Sequence, residues 1–181
     1  MVNVRGSVMK MVKMALLVAI SIVLVVLVHF PIFPAAPFLE YDPADIPIFI
    51  GTFAFGPTAG FVLTVLVSVV QGTTVSAGSQ IWGILMHIMA TGSFAIVAGN
   101  IYKTRKSRKT AIIALAVGVV VMTSVMCVAN LFITPIYSGM PMSAVAAMIP
   151  PIILPFNLIK SGVNAVITFL LYKRISPLLH K

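Results

Sequence analysis

Tyr102-Lys103-Thr104-Arg105-Lys106-Ser107-Arg108-Lys109-Thr110 carries five cations within seven residues and no acid. On either side the chain turns apolar, and residues 81–102 and 111–133 run almost without charge. An α-helix rises 1.5 Å per residue, so about 20 apolar residues cross the ~30 Å hydrocarbon core of a bilayer. Both runs are long enough. Lys and Arg collect on the cytoplasmic flanks of such helices. The basic stretch therefore reads as a cytoplasmic turn between two membrane spans.

The remaining charge obeys the same rule. Of twelve Lys and Arg, three lie before the first apolar run (Arg5, Lys10, Lys13) and three after the last (Lys173, Arg174, Lys181). Only Lys160 stands apart. The chain is 60% hydrophobic and 8% charged, with a mean hydropathy of +1.15, whereas a soluble domain carries about 25% charged residues. A net charge of +9 raises nucleic acid as a partner. Cations packed against apolar runs argue for a lipid bilayer instead, and no nucleic acid is expected. The first apolar run meets Phe30-Pro31 without a small-residue cleavage site, so it reads as a span and not a signal peptide. The single Cys127 sits inside an apolar run as a small hydrophobe.

Counting outward gives spans at 14–30, 46–55, 58–70, 81–102, 111–133 and 152–172. The fold class is an all-α integral membrane protein of six transmembrane helices, one membrane domain over 1–181. Both termini are expected in the cytoplasm, with a long external loop between helices 1 and 2. The second and third runs are short, and a re-entrant hairpin satisfies the same parity. Loops 31–45, 71–80 and 134–151 fall outside.

Polar groups are costly in lipid, so those that remain need a reason. The three acids, Glu40, Asp42 and Asp45, all fall on the first external loop, where Asp42 or Asp45 is suited to cap the second helix. Lys160 lies inside the last span. Snorkelling would explain a lone lysine, but Asn157 precedes it by three residues and shares its helical face. Asn130 on the fifth span falls at the same depth, with Asn164 one turn deeper than Lys160. His87, Thr91 and Gly92 mark the fourth span. An isolated membrane Asn usually bonds a neighbouring helix, yet here the amides, the lysine and the loop outline one external pocket. Phe38, Tyr41, Trp82 and Tyr137 offer flat apolar surface. Two amides and one cation suit a planar, mostly neutral heteroaromatic molecule better than a strong anion.

Other function classes lack their parts. No G-x-x-x-x-G-K-[ST] loop is present for ATP, and no H-E-x-x-H or His–carboxylate cluster for a metal. No acid is expected within a span for a proton relay or for chemistry on lipid or prenyl chains. No enzyme activity, metal or cofactor is expected. Energy for transport would come from a partner. Ala15 and Ala19, four apart on the first span, form a small-residue stripe that admits close helix approach.

Several stretches together resemble a known family. They are Ala15-Leu16-Leu17-Val18-Ala19, Phe30-Pro31-Ile32-Phe33-Pro34, and Pro37-Phe38-Leu39-Glu40-Tyr41-Asp42-Pro43-Ala44-Asp45-Ile46-Pro47. To these are added Phe55-Gly56-Pro57-Thr58-Ala59-Gly60, Asn130 with Pro135-Ile136-Tyr137, and Leu154-Pro155-Phe156-Asn157-Leu158-Ile159-Lys160. The chain resembles the substrate-binding (S) components of energy-coupling factor (ECF) vitamin transporters over about 10–179, most closely the riboflavin-specific ones. The resemblance implies a six-helix fold in a prokaryotic cell membrane, holding riboflavin, or flavin mononucleotide, as substrate under the first loop. It implies contacts from Leu39, Glu40, Tyr41 and Asp42, from the backbone around Ala90 and Gly92, and from Asn130, Asn157 and Lys160. Ala15 and Ala19 would meet the transmembrane coupling protein, which two cytoplasmic ATPases complete. Glu40-Tyr41 departs from the basic residue that many members place before the loop aspartate. Another vitamin as substrate, or a solitary facilitator, is the alternative.

Overall fold

The computed structural model describes residues 4–76, 78 and 80–180. Its elements in chain order are α1 (Val4–Leu27), β1 (Phe30–Pro31), β2 (Glu40–Tyr41), α2 (Asp45–Phe55), α3 (Pro57–Thr73), α4 (Gln80–Thr104), α5 (Arg108–Ser138), α6 (Met142–Met148) and α7 (Leu154–His180). A π-helical turn, Ile149–Ile153, joins α6 to α7.

Four helical segments are long and apolar enough to cross a membrane: Arg5–Leu27, Ile81–Thr104, Arg108–Ser138 and Met142–Leu179. These correspond to the first, fourth, fifth and sixth spans read from the sequence. α2 and α3 are shorter, at 11 and 17 residues, which is a rise of about 16 and 25 Å. They fold back on each other about Gly56, so that Thr52 faces Gly60 and Gly51 faces Leu63. The turn needs Gly56, whose φ of 95° is a conformation that side chains resist. Pro57 then opens α3, where a missing N–H costs nothing.

The helices overrun their sequence bounds at points with a physical cause. α1 starts ten residues before 14, so Arg5, Lys10 and Lys13 lie on a helix. α5 runs through Pro135 to Ser138. The sixth helix begins at Met142 and not at 152, within what was expected as the external loop 134–151, and Pro150 and Pro151 sit in the π turn. Its wider hydrogen-bond spacing removes the i−4 clash that makes proline a breaker.

α4 is central, packed between α3 and α5, while α7 crosses both α5 and α2. Phe49 of α2 stacks on Phe94 of α4 at 3.6 Å between ring centroids, near the middle of the core. The outward faces are apolar too: Leu16, Val23, Val120, Phe132, Val166 and Leu170 are all exposed. A bundle apolar on both its inner and outer surfaces is built for lipid.

The loop after α1 was expected as a long external loop. It forms a minimal antiparallel ribbon, pairing Phe30 with Tyr41 and Pro31 with Glu40. Ser21 of α1 donates to the Ala44 carbonyl at 2.8 Å and fixes the far end of that loop.

Candidate functional site

A cavity of about 460 Å3 opens under the loop, between α3, α4, α5 and α7. This is within the range of sites that enclose a small organic molecule, about 300–1,000 Å3. The loop supplies Phe38, Leu39, Glu40 and Asp42 to its lining. α5 supplies Asn130, and α7 supplies Asn157 and Lys160, so the three polar side chains singled out in the sequence do converge. Ala90 of α4 is also in the wall.

Both asparagines are buried and both anchor one N–H on their own helix. Asn130 donates to the Met126 carbonyl and Asn157 to the Ile153 carbonyl, each at 2.8 Å. The Asn130 amide oxygen accepts from Thr134 at 2.9 Å. A primary amide has a second N–H, so each residue keeps a donor beyond these bonds. Across the cavity, the Gln71 amide oxygen is buried with no hydrogen-bond partner. An unpaired buried acceptor is costly, and a ligand N–H would satisfy it. Met86, Met122, Met126 and Phe156 supply the apolar surface, and thioethers adapt well to an aromatic ring.

Lys160 does not snorkel. Its ammonium donates to Asp42 Oδ2 at 2.7 Å and to the Glu40 carbonyl at 3.2 Å. One of its three N–H donors remains for the cavity. Asn164, one turn deeper, donates to the Asp42 carbonyl and accepts from the Tyr41 hydroxyl, both at 3.1 Å. α7 thus clamps the loop at two successive turns. Burial, with the Asp42 carboxylate next to it, pushes the Tyr41 phenol above its usual pKa, while Lys160 pulls the other way.

The expectation that all three acids belong to the loop is corrected by Asp45. It does not cap α2. Ala44 holds the N-cap position, and it is Asp42 Oδ1 that accepts from the Ala44 N–H, at 3.0 Å. Asp45 is fully buried in the first turn of α2. Its Oδ1 accepts from Thr91 at 2.7 Å and contacts His87 Nε2 at 3.0 Å, and Asn164 reaches Oδ2 at 3.4 Å. Ser68 meets the other ring nitrogen of His87 at 2.9 Å. One carboxylate therefore ties α2 to α4 and α7 beside the cavity, which Ser68 and His87 help to line.

Three expected contributors lie elsewhere. The Tyr41 ring packs on Phe30, Gly92 faces Phe61 of α3, and Trp82 is not in the lining. The sequence reading missed Ser68, Gln71 and the three methionines. Gln71 had a signal, as the amide ending an apolar run. The methionines had none.

Comparison with known proteins places the chain. Residues 9–172 match the family model described as "ECF transporter, substrate-specific component". The chain is 33% identical over 179 residues to the riboflavin transporter RibU of Staphylococcus aureus, covering 95% of this chain and 93% of that protein. It is 31% identical to the riboflavin transporter FmnP of Bacillus subtilis, covering 94% and 93%. A solved structure titled "Structure and mechanism of the S component of a bacterial ECF transporter" superposes with a TM-score of 0.81 at 31% identity, over 95% of this chain and 98% of that one. A helical bundle with four membrane-length helices, a polar cavity under its first loop and this match over most of its length together identify the chain as a member of the ECF transporter substrate-specific component family.

Proposed function

We propose that this chain captures riboflavin outside a prokaryotic cell membrane and delivers it inward as an S component. The observation that carries the reading is the meeting of Leu39, Asn130, Asn157 and Lys160 around one cavity. A fused three-ring flavin has a polar edge of alternating carbonyls and ring nitrogens and an apolar edge of methyl groups. The spare amide N–H groups and the Lys160 ammonium suit its acceptors, the Gln71 oxygen suits its imide N–H, and the methionines with Phe156 suit the ring. Glu40 and Asp42 contribute through the loop that closes over it. Charge supports a neutral ligand over flavin mononucleotide, because Lys160 is already paired with Asp42.

The chain crosses the bilayer several times in this reading, with α2 and α3 as a hairpin completing six helices and both termini in the cytoplasm. Ala15 and Ala19 are exposed on α1 and are assigned to the transmembrane coupling protein. Two cytoplasmic ATPases on that protein supply the energy. Purified chain titrated with riboflavin tests the reading: saturable binding is expected, weakened in Asn157→Ala. Binding of a different vitamin instead would retain the class and reject the substrate. Uptake without the coupling protein would favour a solitary facilitator.

A further inference from the structure

A second cavity, of about 230 Å3, lies at the opposite end of α2. Its wall is the last turn of α2, the Gly56-Pro57-Thr58 hinge, the end of α4 with Tyr102 and Lys103, and Lys106 of the turn that follows. Phe53 and Tyr102, stacked at 4.3 Å between centroids, are part of it. Lys10 of α1 joins from the side, its ammonium 5.9 Å from the centroid of the Phe55 ring, which also lines the cavity.

The charge here is unbalanced. The chain has only three acids, and Asp45 at the far end of α2 is the one nearest in sequence, a helix length of about 16 Å away. Among the described residues the ion pairs are Lys160 with Asp42 and His87 with Asp45, so neither involves these lysines. Cations around a pocket with no internal counter-charge call for an external anion.

The surface beside the cavity narrows the choice. Thr58 is exposed at its rim, and Val62, Leu66 and Val69 continue from it at helical spacing along the outside of α3, all exposed. A small soluble anion has no use for that apolar track. An acyl chain does. Basic pockets between helices on the cytoplasmic side bind anionic lipid headgroups.

We propose that this cavity seats the phosphate of an anionic phospholipid of the inner leaflet. Lys103 and Lys106 face the phosphate, Thr58 donates to it, and one acyl chain lies along Val62, Leu66 and Val69. The inference rests on the cytoplasmic placement of the basic stretch and is independent of the vitamin.

Native mass spectrometry of the full chain, released from micelles with phosphatidylglycerol or phosphatidylcholine, tests it. Phosphatidylglycerol is expected to be retained in preference to phosphatidylcholine. Lys103→Gln with Lys106→Gln should reduce that preference about thirtyfold, at about 1 kcal/mol for each cation. Lys173→Gln with Arg174→Gln removes the same charge elsewhere and should leave it intact. An unchanged melting temperature in both variants verifies that they fold. Three results would overturn the proposal: no preference between the lipids, equal loss in both double variants, or full displacement by soluble glycerol phosphate. Cross-linking of Lys103 or Lys106 to carboxylates of the coupling protein, with no lipid retained, would instead assign the cavity to a protein partner.

Discussion

Lys160 serves two structures at once, holding Asp42 and the Glu40 carbonyl while lining the cavity. Replacing it by alanine removes a donor from the proposed riboflavin site and also one of the two ties of the loop to α7, the other being Asn164. Lys160→Ala and Asn157→Ala are each expected to weaken riboflavin binding by about 1–3 kcal/mol, read by titration of flavin fluorescence. The two should differ in rate. Loss of one loop tie raises the dissociation rate in Lys160→Ala, and stopped-flow release measures it. Asp45 predicts a different outcome. Asp45→Ala leaves the donors of Thr91, Asn164 and His87 without their acceptor, at about 1–3 kcal/mol for each one left buried. A lower melting temperature in the absence of any vitamin is the expected result. These two aspartates mark the limit of legibility at this scale. Asn130, Asn157 and Lys160 were readable because polar residues in an apolar run are rare and costly. The role of Asp45 was not, because Pro43 and Pro47 around it have the look of a loop. Only tertiary packing shows that His87 and Thr91, more than forty residues away, close over its carboxylate.

At the scale of elements, close helix approach replaces hydrophobic driving force as the source of specificity in lipid. A Cβ added at Gly99 of α4 would stand 2.9 Å from the Pro57 backbone. Backbone cannot yield as a side-chain tip can, so Gly99→Ala is expected to destabilise by about 1–3 kcal/mol. Gly162 of α7 has nothing within 4 Å of such a Cβ. Gly162→Ala should be neutral or stabilising by up to about 1 kcal/mol, the helix preference of alanine over glycine. Melting temperatures of the pair check the contrast. The long helices were legible because their apolar runs and basic flanks are unbroken. The start of the sixth lies ten residues before the expected 152, because the π turn that absorbs Pro150 and Pro151 leaves no signature in a pattern of apolar residues. The ribbon of Phe30-Pro31 with Glu40-Tyr41 was hidden for a related reason, since its strands are two residues long and one contains proline.

Across the whole molecule, charge is divided between two ends. Glu40, Asp42, Asn130, Asn157 and Lys160 line one cavity, and Lys103 and Lys106 line the other. Cysteine introduced at Ser107, in a Cys127→Ser background, is expected to react with a membrane-impermeant maleimide only from the cytoplasmic side. Cysteine at Gly139 should react only from outside, and the reverse pattern would invert the topology. Occupancy of the first cavity ought to be felt throughout the bundle, because α3, α4, α5, α7 and the loop all contribute to it. A ligand at a hundred times its Kd stabilises the folded state by about 2.7 kcal/mol, so riboflavin should raise the melting temperature in a concentration-dependent way. The most direct measurement is a titration of the purified chain with riboflavin, run beside Lys160→Ala and beside other vitamins. Saturable binding of riboflavin alone, weakened in the variant, is the result that this account predicts. No riboflavin binding, or equal affinity in wild type and Lys160→Ala, would contradict it.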